Sequence, residues 1–253
     1  MGNVRDSLRP ERPNLVGGLM ALWVIGGWAV SLVFLLTRDL SGWPLWAAAG
    51  VLVQTFLYTG LFITAHDAMH GTVLPRYPRV NRAVGALAVG LYALFSYQKL
   101  LKCHWDHHRH PASEEDPDFH DGENEGTLRW YVHFMKGYLS VPQLLGMALV
   151  FNVLMYGAGI GVENLLLFWV APALLSTWQL FYFGTLLPHR EPEGGYEDHH
   201  RAQSNDFSPW VSFLTCYHFG YHWEHHERPD LPWWRLPAYR RHRQGGEESQ
   251  KVS

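Results

Sequence analysis

Three histidine clusters carry the chemistry that this chain offers. They are His66-Asp-Ala-Met-His70, His104-Trp-Asp-His107-His108 and His222-Trp-Glu-His225-His226. Residues three and four apart share a helix face, so each cluster can aim its imidazoles at one spot. Neutral imidazole binds Zn, Cu, Fe and Ni well. Eight imidazoles exceed what one four-coordinate ion accepts, and a pair of ions is the simplest reading. An all-oxygen site would suit Mg or Ca, and thiolates would suit Zn or an iron–sulfur cluster. Neither is offered: the chain has two cysteines, Cys103 and Cys216, and no CxxC pair. The Glu-x-x-His pairs of soluble carboxylate di-iron bundles are also missing from these clusters. A histidine-rich di-iron centre remains, and such a centre activates O2 for attack on C–H bonds, which side chains alone cannot do.

A ninth ligand has two candidates. His189 follows the last apolar run directly, and His218 lies one helical turn before His222. Glu224, between His222 and His225, reads as a carboxylate that orients a ligand imidazole. Asp67 and Asp106 either do the same or are solvated. His110 lies off the face shared by His104, His107 and His108 and reads as loop or support. His120, His133, His199, His200 and His242 read as surface or satisfied core histidines.

These clusters need elements to position them, and the apolar runs supply those. The chain is 47% hydrophobic with 12 Trp, 12 Tyr and 13 Phe, an aromatic load that suits membrane interfaces. A net charge of -3 gives no reason to expect nucleic-acid binding. Residues 15–36, 45–65, 139–156 and 165–187 are apolar enough to predict four transmembrane helices. The run 83–96 is too short to span and predicts a re-entrant or interfacial helix. Pro172 is placed to kink the last span, and a polar tail begins at Arg240. Four spans put the polar start with Arg5, Arg9 and Arg12, all three clusters and the tail on one side. The links on the other side carry one basic residue, Arg38, so the histidine side is predicted to be cytoplasmic. The expectation is an all-α integral membrane protein, one domain over residues 1–253, with a cytoplasmic histidine-rich di-iron cap and interfacial helices.

Three boxes at the cytoplasmic ends of four spans resemble the membrane fatty acid desaturase–hydroxylase superfamily. Longer stretches resemble the bacterial and cyanobacterial β-carotene ketolases: His66-Asp-Ala-Met-His-Gly71, Asp116-Pro-Asp-Phe119, Phe183-Gly-Thr-Leu-Leu-Pro-His189, Cys216-Tyr-His-Phe-Gly-Tyr-His222 and Leu231-Pro-Trp-Trp-Arg-Leu-Pro237. The single glycine between Phe219 and Tyr221 is closer to the cyanobacterial form. The resemblance implies oxidation of the C4 ring methylene of β-carotene to a ketone, giving echinenone and then canthaxanthin, and astaxanthin from hydroxylated rings. It implies two iron ions as cofactor, O2 as co-substrate, two successive hydroxylations at one carbon, and electrons from an external donor such as ferredoxin.

By the same resemblance the metal ligands are His66, His70, His104, His107, His108, His222, His225 and His226, and His189 matches an additional histidine of these enzymes. Asp116 and Asp118 match the family's acidic stretch, and these carboxylates are expected to shape the active site; the alternative is a solvated turn around Pro117. Trp233 and Trp234 read as anchors at the headgroup level. The implied location is the cytoplasmic or thylakoid membrane. Two other readings compete: a carotenoid hydroxylase or acyl-lipid desaturase with the same boxes, and a membrane metal transporter. The transporter would need ionisable residues along its spans, and the spans carry almost none.

Overall fold

Within hydrocarbon, backbone polar groups must pair inside their own segment, so long apolar runs fold as helices. A computed structural model describes residues 15–42, 45–120, 122 and 126–251, with side chains up to 245. The polar start with Arg5, Arg9 and Arg12, and residues 121 and 123–125 of the acidic loop, lie outside the described residues. Among the described residues there is no β-strand, only an isolated bridge between Ser204 and Tyr221.

Three helices are long and apolar enough to cross a membrane: α1 (Val16–Leu36), α2 (Leu45–Met69) and α7 (Val162–His189). Between them lie two bent pairs. α3 (Pro78–Ala93) meets α4 (Tyr97–Arg109) at 102°, and α5 (Thr127–Tyr138) meets Val141–Gly157, α6, at 87°. The described chain therefore has three to five candidate spans. The predicted span over 139–156 corresponds to α6, one arm of the second bent pair. The predicted second span, 45–65, runs on to Met69 without a break, so His66 lies on the spanning helix itself. After α7 come α8 (Pro209–Cys216), α9 (His222–Glu227), a 3-10 turn at Trp233–Arg235 and α10 (Leu236–Lys251). The predicted polar tail from Arg240 is thus part of a helix.

α2 is the central helix, packed against α1, α3 and α7. Its buried face holds Tyr58, Leu61 and Ile63, while Leu22 and Val30 on α1 and Leu145 and Leu149 on α6 are exposed. That exposed apolar surface suits lipid. Inside the bundle polar side chains join helices: Thr59 Oγ1 lies 2.9 Å from Ser176 Oγ, and Tyr92 donates to Ser176 Oγ at 3.0 Å. Pro172 lacks an N–H donor. A π turn at Leu166–Val170 ends two residues before the proline, with Ala171 between them.

Candidate metal centre

Each box sits on an element whose end is fixed by a side chain or a turn. α2 carries His66 and ends just before His70. Asn81 Nδ2 donates to the Ala68 carbonyl at 2.7 Å, and Asn81 Oδ1 accepts from Leu74 N at 3.0 Å, which closes that end. Gly71, at φ +74°, then turns the chain as few other residues would allow. α4 carries His104, His107 and His108 and starts at Ser96, whose hydroxyl accepts from Lys99 N. α9 carries His222, His225 and His226.

The structure brings all nine predicted histidines together. His66, His70, His104 and His225 form one group and His107, His189, His222 and His226 a second; within each group one ligand atom per ring lies within 4.8 Å of the others. His108 stands between them, its Nε2 3.0 Å from His225 Nε2 and its ring 4.4 Å from that of His226. Nε2 atoms face one another at 3.1 Å (His66 and His225), 2.6 Å (His70 and His104), 3.1 Å (His107 and His226) and 3.2 Å (His222 and His226). Two imidazoles each about 2.1 Å from one ion stand roughly 3 Å apart, so these separations suit a shared ion.

The donor chemistry supports the same fit. His189 Nδ1 lies 2.9 Å from the Arg201 carbonyl, which can only accept, so Nδ1 carries the proton and Nε2 keeps its lone pair. That Nε2 is buried and has no hydrogen-bond partner. His107 Nδ1 is 3.0 Å from both Asp116 oxygens, which leaves its Nε2 free to ligate. Burial, and then neighbouring imidazoles, hold His222, His225 and His226 well below the usual histidine range, in the neutral form that binds metal. Residues able to hold metal ions are therefore present in two adjoining groups.

His218 lies elsewhere. Its ring stacks on Tyr221 and approaches Phe213 and Trp233. His110 is also apart, paired with Glu115 at 3.2 Å on the surface. His200 does not join either group but bonds Glu227 at 3.0 Å.

Among the carboxylates, Asp116 is buried against His107, not held in a solvated turn. It also accepts from Ala112 N at 2.8 Å and Asp118 N at 2.9 Å. Asp118 accepts a hydrogen bond from Tyr138, and burial, against the pull of the His107 charge, pushes it up to about 6. Asp67 Oδ1 lies 3.5 Å from His66 Nδ1, and Asp67 Oδ2 accepts from Trp233 N at 3.2 Å. Asp106 is solvated, paired with Lys102 at 2.6 Å.

One expectation is corrected here. Glu224 does not touch a ligand imidazole: it binds Arg240, Arg243 and Ser204. On a helix of 100° per residue it points away from His222, His225 and His226. Trp233 and Trp234 are half-buried, and the Trp233 ring packs on Phe213 and Tyr217. Tyr138, Arg201, Ser204, Arg240 and Arg243 gave no local sequence signal, because their partners lie 12 or more residues away.

A narrow cavity of about 70 Å³ ends at this centre. Its wall is largely apolar, with Phe62, Tyr92, Phe134, Leu180 and Phe219, and it reaches His66, His104, His107, His222 and Asp118.

Comparison with known proteins places this arrangement. The fatty acid desaturase family profile matches residues 41–151 and 141–251. A β-carotene ketolase of Paracoccus sp. is 44% identical over 226 residues, covering 88% of this chain and 90% of the relative. A β-carotene ketolase of Haematococcus lacustris is 39% identical over 267 residues, covering 94% and 83%. A zeaxanthin 4-ketolase of Chlamydomonas reinhardtii is 43% identical over 245 residues, covering 92% of this chain and 55% of that longer protein. With most of its length matched in this way, the chain belongs to the fatty acid desaturase family, in its β-carotene ketolase branch.

Proposed function

We propose that this protein is a β-carotene 4-ketolase, an O2-dependent oxygenase that converts the C4 methylene of a β-ring to a ketone at a di-iron site. One observation carries the reading: an apolar cavity ends against a nine-imidazole centre in a chain whose relatives are named ketolases. Two iron ions, held by the two histidine groups with His108 between them, would supply O2 activation at C4. The remaining work belongs to the chain. Asp116 holds the His107 proton on Nδ1 and so aims its Nε2 at the centre; the Arg201 carbonyl does the same for His189. The aromatic wall aligns the polyene and keeps water from the reacting carbon. Asp118, tied to Tyr138, presents the cavity's carboxylate and would relay a proton from one hydroxyl of a twice-hydroxylated C4 to the other, which leaves as water as the ketone forms. The carbon is allylic, which weakens the bond to be broken.

The whole chain is read as one domain with four spans, α1, α2, α6 and α7. The centre then faces the cytoplasm, in a cytoplasmic or thylakoid membrane; the exposed apolar faces of the spans support the membrane location itself. The carotenoid would reach the site sideways from the bilayer. Electrons would come from a separate donor such as ferredoxin.

Pigment analysis tests the activity. In β-carotene-producing cells, the chain should yield echinenone and canthaxanthin, and its His225→Ala variant neither. A 3-hydroxylated product would make the protein a hydroxylase instead, and unchanged β-carotene with iron-loaded protein would turn attention to acyl lipids.

A further inference from the structure

The third box stands on α9, which has only six residues, His222–Glu227. So short a helix does not persist alone, because its nucleation is not repaid by enough hydrogen bonds. Three ligands on such a support need an outside anchor, and the structure supplies one on the face opposite the imidazoles. Glu224 is fully buried there. Its Oε1 accepts from Arg240 Nη1 and from Arg243 Nη2, each at 3.0 Å. The two arginines are three residues apart on α10 and so share a face.

Each arginine also covers a ring beside the box: Arg240 stands 4.9 Å over Tyr221 and Arg243 4.1 Å over Trp223. Ser204 adds a third tie, donating to Glu224 and accepting from Trp223 N at 3.1 Å. The grip thus holds residues 221, 223 and 224, on both sides of His222. A carboxylate buried this fully is stable only while its cations stay, and removing one partner of such a group strands the other.

We propose that Arg240 and Arg243 are positioning residues for the metal centre: through Glu224 they set α9 so that His222, His225 and His226 converge on it. The C-terminal helix is therefore part of the site's frame. This rests on the reading that the third box binds metal, and the test separates the two.

The full chain, purified in detergent and loaded anaerobically with Fe(II), is assayed for iron per chain, for iron loss to a ferrous chelator, and for the melting temperature of the iron-free protein. Glu224→Gln should lose iron at least about tenfold faster than wild type, and because it leaves both arginines without their carboxylate its iron-free melting temperature should fall as well. The double variant Arg240→Lys/Arg243→Lys keeps both charges but not the planar forks, and should also lose iron faster. Asp206→Ala removes only the fully exposed partner of Arg240 and should behave as wild type. Wild-type iron stoichiometry and loss rate in Glu224→Gln overturn the proposal. If that variant does not fold, the same result in the lysine pair overturns it. A wild-type chain that takes up no Fe(II) would instead remove the metal reading underneath.

Discussion

Asp116 meets Nδ1 of His107 with both carboxylate oxygens at 3.0 Å, and the same two oxygens accept from Ala112 N and Asp118 N. Every donor around this carboxylate points inward. An asparagine there would set its own N–H2 against one of those donors, so Asp116→Asn should fare no better than Asp116→Ala. Both are expected to lower iron affinity or ketolase product by about 10–100-fold. Iron retention after dialysis, beside pigment yield, checks this. Wild-type values in Asp116→Asn would show that the contact does not fix the His107 tautomer.

The ninth histidine gives a second prediction. His189 Nε2 is buried and unpartnered beside His107, His222 and His226, whereas His218 packs among Phe213, Tyr221 and Trp233. His189→Ala should therefore reduce bound iron below two per chain and abolish ketolation. His218 has φ +61°, a conformation asparagine tolerates, so His218→Asn should keep its iron. The reverse pattern in iron analysis would make His218 the ligand.

The same pair of residues shows what the sequence could and could not reveal. The three boxes were legible because their spacings are local: i, i+3 and i, i+4 on a helix share a face wherever the helix goes. The spanning helices were legible from uninterrupted apolar runs. The choice between His189 and His218 was not. A ring one helical turn before His222 looks well placed only if the chain between them is helical. Instead Tyr217 and His218 are both left-handed, at φ +49° and +61°, and the chain turns there. Asp116 reaches His107 only because the loop after α4 folds back, and Glu224 finds its arginines through a second helix. Contacts made by folding distant segments together leave no periodic trace.

Asn81 makes a third case, and it concerns stability. It is buried and closes the end of α2 with two hydrogen bonds, to the Ala68 carbonyl and from Leu74 N. Asn81→Ala leaves both backbone groups without these partners, at a cost of about 1–3 kcal/mol each if nothing replaces them. The variant should show a clearly lower melting temperature in detergent and, because His66 and His70 sit at that end, weaker iron retention. A melting curve that overlays the wild type would mean water takes over both bonds.

The last prediction separates substrate access from metal binding. Gly184, in the π turn Tyr182–Leu186 of α7, lies against the ring of Phe219. A Cβ at this position would sit far inside van der Waals contact with Cε1 and Cδ1 of that ring. Phe219 forms cavity wall between the boxes, 4.8 Å from the ring of His66 and 5.0 Å from that of His222. Gly184→Ala must therefore push Phe219 aside within a cavity of only about 70 Å³. Overpacking of this kind is relieved only by moving the ring into that cavity. Ketolation should fall at least about tenfold, because a small displacement of the substrate from the reacting position is enough to do so. Bound iron should stay near the wild-type value, since the atoms that an added Cβ meets most closely belong to Phe219 and not to an imidazole. Shortening the ring in Gly184→Ala/Phe219→Leu should recover part of the product. Loss of iron in Gly184→Ala, with no recovery in the double variant, would mean that Phe219 supports the imidazoles instead of shaping the path of the polyene.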